Sequence, residues 1–157
     1  MMHIIRLRLL FVLGASIWLV VGSIQSSMAQ NTEGNLDKHR WKDRILLHWS
    51  LSGKAFSLQQ QKEAAKFREE LRERDLVLYY VGPDAGFGPK GAISTHVADR
   101  LISAYRLPAK SSGWLLIGKD GTEKARGSGL PDWPAIFARI DQMPMRQREM
   151  HQRDPER

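Results

Sequence analysis

Gly86-Phe87-Gly88-Pro89-Lys90-Gly91 is the stretch whose residue types most directly suggest chemistry. It matches G-x-G-x-x-G between a strand-like and a helix-like run, where glycines let backbone amides approach a pyrophosphate. Dinucleotide binding also needs an acid about 20 residues further on to hold a ribose hydroxyl. No Asp or Glu stands between Arg100 and Lys119, and Asp120 falls in a turn. The stretch therefore reads as an irregular loop, in which Lys90 and nearby amides offer at most an anion contact.

Two further patterns fall short of a site. His96 and Asp99 share the outer side of a helix, but no third ligand accompanies them, so no metal centre is expected. His48 sits inside an apolar run and reads as a hydrogen-bonded core residue. The chain contains no cysteine, which removes thiol redox chemistry, thiolate nucleophiles and cysteine-based metal sites together. No cofactor is implied.

These residues must be positioned by one domain, the size that 157 residues allow. The N-terminus carries Arg6 and Arg8, an apolar run Leu9–Val21, and small residues ending Ser27-Met28-Ala29. That is the build of a secretory signal peptide over 1–29, with cleavage expected after Ala29 and no stable membrane insertion afterwards. The expected location is periplasmic or secreted. Residues 30–38 read as a flexible mature N-terminus, and 151–157 as a disordered charged tail. The formal charge of +7 is spread among acids and indicates no specific nucleic-acid partner.

Between these ends lies the domain, over 39–150. The centre of the pattern is Trp114–Arg126, where Asp120-Gly121 joins two short extended runs as a β-hairpin. Upstream, Ile45–Leu51 is apolar on both faces, as a covered central strand would be. Ser57-Leu58-Gln59-Gln60 reads as a capping box opening a helix whose inner stripe is Ala64, Phe67 and Leu71. Its outer face mixes charge, with Glu70 set to pair with Arg74. Leu76–Val81 follows as a strand, and Ile93–Leu107 as a helix with Val97, Ala98 and Leu101 inward. Asp132 caps a last helix that Pro144 interrupts. The order β-α-β-α-β-β-α predicts an α/β, three-layer α/β/α, thioredoxin-like fold with a mixed sheet of about four strands.

Several segments resemble the signature of the domain-of-unknown-function family DUF4174. They are Trp41-Lys42-Asp43-Arg44, Glu73-Arg74-Asp75, and Gly118-Lys119-Asp120-Gly121 with Lys124. Ile140-Asp141-Gln142-Met143-Pro144-Met145-Arg146 and Glu149-Met150 complete the match. The resemblance spans about Leu36 to Met150. It implies a thioredoxin-like, peroxiredoxin-related fold and no established activity.

In thioredoxin relatives the turn after the first strand carries the reactive cysteine. Here it reads Ser50-Leu51-Ser52-Gly53-Lys54-Ala55-Phe56-Ser57. A serine hydroxyl lacks the low pKa and the redox states of a thiol. Ser112-Gly113 stands where those relatives place a proline. A non-redox binding module of the cell envelope, recognising a protein or polysaccharide, is the leading expectation. An enzyme using Ser52 or Ser57 with Lys54 or His48 is the alternative, since serine activation needs a base within reach. A polyanion binder using Arg44, Arg68, Arg72, Lys119, Lys124 and Arg126 is the third. The block Met143-Pro144-Met145-Arg146 has two readings. It is a recognition surface, or a staple in which the methionines pack under the hairpin and Arg146 pairs with Asp141. Oligomeric state is left open.

Overall fold

The computed structural model describes residues 36–84 and 86–153, without the side chains of 54–57. The signal-peptide reading and its cleavage point lie outside the described residues. β1 (Arg44–Trp49) is the centre, and all six of its residues are buried. It pairs in parallel with β2 (Leu76–Val81) and antiparallel with β5 (Gly113–Ile117). β3 (Gly86–Gly88) and β4 (Gly91–Ile93) extend the sheet beyond β2, and β6 (Glu123–Ser128) extends it beyond β5. The order is β4-β3-β2-β1-β5-β6.

Alternation along the strands builds two cores. Ile45, Leu47, Tyr79, Val81, Leu115 and Ile117 face one side, where Val97, Ala98 and Leu101 of α3 (Thr95–Ala104) cover them. Leu46, Leu76 and Leu116 face the other, beneath Ile136, Phe137 and Ile140 of α4 (Trp133–Asp141). Phe67 and Leu71 join this second core from the segment holding α1 (Lys54–Ala65) and α2 (Arg68–Glu73). The three-layer expectation holds, with six strands where about four were expected.

The extra pair is the G-x-G-x-x-G stretch, a β-hairpin and not an irregular loop. Its strands are only three residues long and glycine-rich, so no run of β-formers announces them. The glycines are required by packing. A Cβ on Gly86 would stand 2.5 Å from Ile93 Cγ1, and one on Gly88 would stand 2.9 Å from Tyr79 Cε1.

Other boundaries shift for local reasons. α1 begins at Lys54 behind Gly53 with no side-chain cap, so Ser57 does not open the helix. The third helix starts later than expected, because Ile93 belongs to β4 and Ser94 Oγ accepts from Val97 N at the helix start. Leu36–His39 is a single helical turn with Leu36 and His39 buried, although the sequence reads as flexible to residue 38. A final helix, α5 (Pro144–Arg153), starts at the proline shortly after α4 and runs through His151–Arg153, where the sequence reads as a disordered tail. Residues 154–157 of that tail lie outside the described residues.

Candidate functional site

Strand register divides the candidate residues between two ends of the sheet. Trp49 pairs with Val81 and Gly113 at one end, where the chain leaves β1 into Ser50–Ser52. Arg44 pairs with Leu76, and Ile45 with Ile117, at the other, where Asp75 and Lys119 adjoin the strands.

At the first end the serines bond to one another and to the turn. Ser50 Oγ accepts from Ser52 N at 3.0 Å, and Ser112 Oγ lies 3.4 Å from it. Leu51 N donates to Ser112 Oγ at 3.2 Å. Ser112 was noted only for the proline it replaces, and its closeness to Ser50 follows from the β1–β5 pairing, 62 residues apart in sequence. Ser52 is exposed at this turn. The side chains of Lys54 and Ser57 lie outside the described residues. His48 is 3 % exposed and stacks edge-on to Tyr80. Burial lowers its imidazole to about 4, against a bond to the Gly129 backbone that raises it. A base so held belongs to the core.

At the second end the family-signature residues form two ion-pair clusters, joined where Arg44 donates to the Arg74 carbonyl. Arg44, 1 % exposed, donates to both oxygens of Glu149 at 3.1 and 3.2 Å and to the Arg74 carbonyl at 2.9 Å. Lys119 Nζ reaches Glu149 at 2.9 Å and Asp75 at 2.7 Å. Burial alone would raise the Glu149 carboxyl, but hydrogen bonds and charge from Arg44 and Lys119 outweigh it and hold its pKa below the usual value. Arg146, also 1 % exposed, donates to Asp141 at 3.2 Å, to the Glu73 carboxylate at 2.5 Å and to the Glu73 carbonyl at 2.9 Å. Arg74 completes the set on Asp141 at 2.6 Å, with its guanidinium over the Phe137 ring.

Arg74 thus turns inward, and its bond to Glu70 goes to the carbonyl, not to the carboxylate as the i,i+4 spacing suggests. Glu73, Arg74 and Asp75 were noted only as a motif. Their role as the acceptors and donors between β1, α4 and α5 is visible only in three dimensions. Met143 packs against the second core, and Met145 is half-buried on α5.

The hairpin turn joins this end. Asp120 Oδ1 accepts from Thr122 N and Oγ1, Lys124 Nζ donates to Asp120 Oδ2 at 2.7 Å, and Gly121 takes φ +80°. Slight burial raises the Asp120 carboxyl, but the bonds from Lys124 and Thr122 prevail and hold it at about 2.

One arrangement had no sequence signal. His39 Nδ1 lies 2.7 Å from Asp43 Oδ2, and its Nε2 lies 2.9 Å from the Tyr79 hydroxyl. The carboxylate–imidazole–hydroxyl order imitates a nucleophile relay, yet Tyr79 is 1 % exposed. It ties the first helical turn to the sheet. His96 and Asp99 are exposed on α3, and no group of three metal-ligating side chains occurs among the described residues.

A six-stranded mixed sheet between helical layers, with its candidate turn directly after the central strand, defines a thioredoxin-like α/β protein. The model of the domain of unknown function DUF4174 matches residues 35–149, and the chain belongs to that family. Its fold is similar to that of the reduced 2-Cys peroxiredoxin of Plasmodium vivax, at TM-score 0.50 and 16 % identity, over 74 % of this chain and 85 % of that one. The mitochondrial 2-Cys peroxiredoxin of Plasmodium falciparum is also similar, at TM-score 0.45 and 13 % identity, over 78 % and 84 %. No curated protein sequence matches it.

Proposed function

We propose that this chain is a non-redox binding module exported to the cell envelope, where it recognises a protein or polysaccharide. The observation that carries this reading is the turn after β1. Among these 157 residues there is no cysteine. The hydroxyls of Ser50 and Ser112 meet each other and the backbone of the turn. Peroxide reduction of the kind implied by a peroxiredoxin's name needs a thiolate that cycles through sulfenic acid, and serine has no such states. At the same end, Leu51, whose amide bonds Ser112, and Leu130, next to the Gly129 amide that donates to the Ser112 carbonyl, are 52 % and 58 % exposed, apolar groups suited to a protein partner.

The polyanion reading is less well supported. Of its six cations, Arg44 is buried and Lys119 partly so, each in ion pairs, while Arg72, Lys124 and Arg126 pair with Glu69, Asp120 and Glu123. The Arg-containing start and apolar Leu9–Val21 support export.

The test compares the purified chain with its Leu51→Asp/Leu130→Asp variant in pull-downs from envelope extract, beside insulin-reduction, peroxide and fluorophosphonate assays. The expected result is no turnover, no labelling, and a partner lost in the variant. Labelling of Ser52 would replace this reading with a serine enzyme.

A further inference from the structure

On the second face of the sheet a cleft of about 400 Å³ opens between the α1–α2 segment and strands β2 and β3. Its size lies in the range of small-molecule sites. The sequence explains why space remains there. Leu78, Tyr80 and Phe87 supply an apolar floor, while the facing helical positions are Ala64 and Ala65, whose methyl groups reach little of it.

Few polar side chains surround this floor. The Tyr80 hydroxyl donates to the Gln60 carbonyl at 3.3 Å. Gln61 Nε2 is buried and donates to no protein group. Arg68 and Arg72 stand at the rim. Arg72 is held by Glu69, whereas Arg68 forms no ion pair among the described residues. No Asp or Glu lines the cleft. The lack of carboxylates disfavours a cation, and the exposed guanidinium favours an anion. One uncommitted guanidinium, that of Arg68, suits a single carboxylate head, because charge-assisted bonds to a carboxylate are the strong ones.

We infer that this cleft binds a small amphipathic monocarboxylate, with its apolar body on Leu78 and Phe87 and its carboxylate on Arg68. The site lies away from the β1 turn, and the inference does not depend on what that turn recognises.

The experiment is a backbone-amide NMR titration of the whole chain with decanoate and, separately, with decanol, both below their aggregation concentrations. Decanoate should give saturable shifts at Gln61, Ala65, Leu78 and Phe87, with decanol about tenfold weaker, as loss of a charged hydrogen-bond partner implies. Arg68→Gln, at an exposed position, should weaken decanoate about tenfold and leave decanol unchanged. Ala65→Trp should fill the cleft and abolish both, with circular dichroism and melting temperature checking its fold. Equal binding of acid and alcohol, indifference to Arg68→Gln, or shifts centred on Leu51 and Leu130 would each overturn the inference. Should Ala65→Trp fail to fold, the Arg68→Gln comparison still decides.

Discussion

Arg44 and Glu149 stand 105 positions apart and meet through two hydrogen bonds, of 3.1 and 3.2 Å. The first residue of the central strand is thereby fixed to the last helix. Lys119 shares the same carboxylate, so the hairpin is held at the same point. The central strand, the hairpin turn and α5 converge on one partly enclosed carboxylate.

Glu149→Gln should therefore cost about 3–5 kcal/mol, the range for breaking a buried pair and leaving its cations uncompensated. Urea unfolding at pH 7 measures this. The acid response gives a second reading. The folded pKa of Glu149 is depressed, so its contribution is complete above the unfolded carboxylate value of about 4.3 and disappears as pH falls through the lower folded value. The stability difference between wild type and variant should shrink across that window. A constant difference down to pH 2 would contradict the assignment.

Met145 and Arg146 are neighbours with unequal expected effects. Arg146 is 1 % exposed with three hydrogen bonds to Glu73 and Asp141, whereas Met145 is only half-buried. Arg146→Ala should lower stability by about 3–5 kcal/mol, and Met145→Ala by about 1 kcal/mol or less. Thermal melts of the two single variants check this. A melting temperature within a few degrees of wild type for Arg146→Ala would remove the staple reading and return the block to recognition.

Much of the frame was legible because its signals are local. The all-buried run of β1, the Asp120-Gly121 turn and the Trp133–Ile136–Phe137–Ile140 stripe each declare themselves within a dozen residues. The glycine-rich β3–β4 hairpin did not, because its short strands lack β-formers and its glycines answer to the close approach of Ile93 and Tyr79. Arg74 and Arg146 look like surface charge in sequence, and only the packing of α4 and α5 against the ends of β1 and β2 turns them inward. The cleft beside Ala64 and Ala65 has no sequence signature at all, since it is defined by side chains too short to fill it.

Gly113 tests the junction of β1, β5 and β6. A Cβ there would stand 2.5 Å from the Gly127 carbonyl oxygen and 2.5 Å from Trp49 Cζ2. One obstacle is backbone and the other is the ring of a buried Trp, so neither yields freely. Gly113→Ala should destabilise by about 1–3 kcal/mol, the cost of overpacking. Gly129→Ala is an informative contrast. No atom lies within 4 Å of its added methyl, and only its φ of +69° resists, so its loss should be about 1 kcal/mol. Chemical denaturation ranks the two, and the reverse order would refute the packing argument.

His48 should make the domain sensitive to mild acid. Its folded pKa of about 4 lies below the unfolded value of about 6.5, and the cause is burial of the imidazole beside Tyr80, partly opposed by its bond to the Gly129 backbone. Between those two values the unfolded chain binds a proton that the folded chain refuses. Stability must then rise with pH across that interval, and be lost as pH falls from about 6.5 toward 4. A shift of that size corresponds to roughly 3 kcal/mol for the complete transition, at 1.36 kcal/mol per pH unit. This window lies above that of Glu149, so the two effects separate on the pH axis. A His48→Gln variant keeps a polar group in the pocket and removes the titration. Its stability between pH 6.5 and 4.5 should be flatter than that of wild type, even where its absolute value is lower. NMR of the ring protons should show wild-type His48 neutral at pH 5. An imidazole that titrates near 6.5 in the folded protein, or parallel pH profiles for the two chains, would show that His48 is not held as its contacts imply.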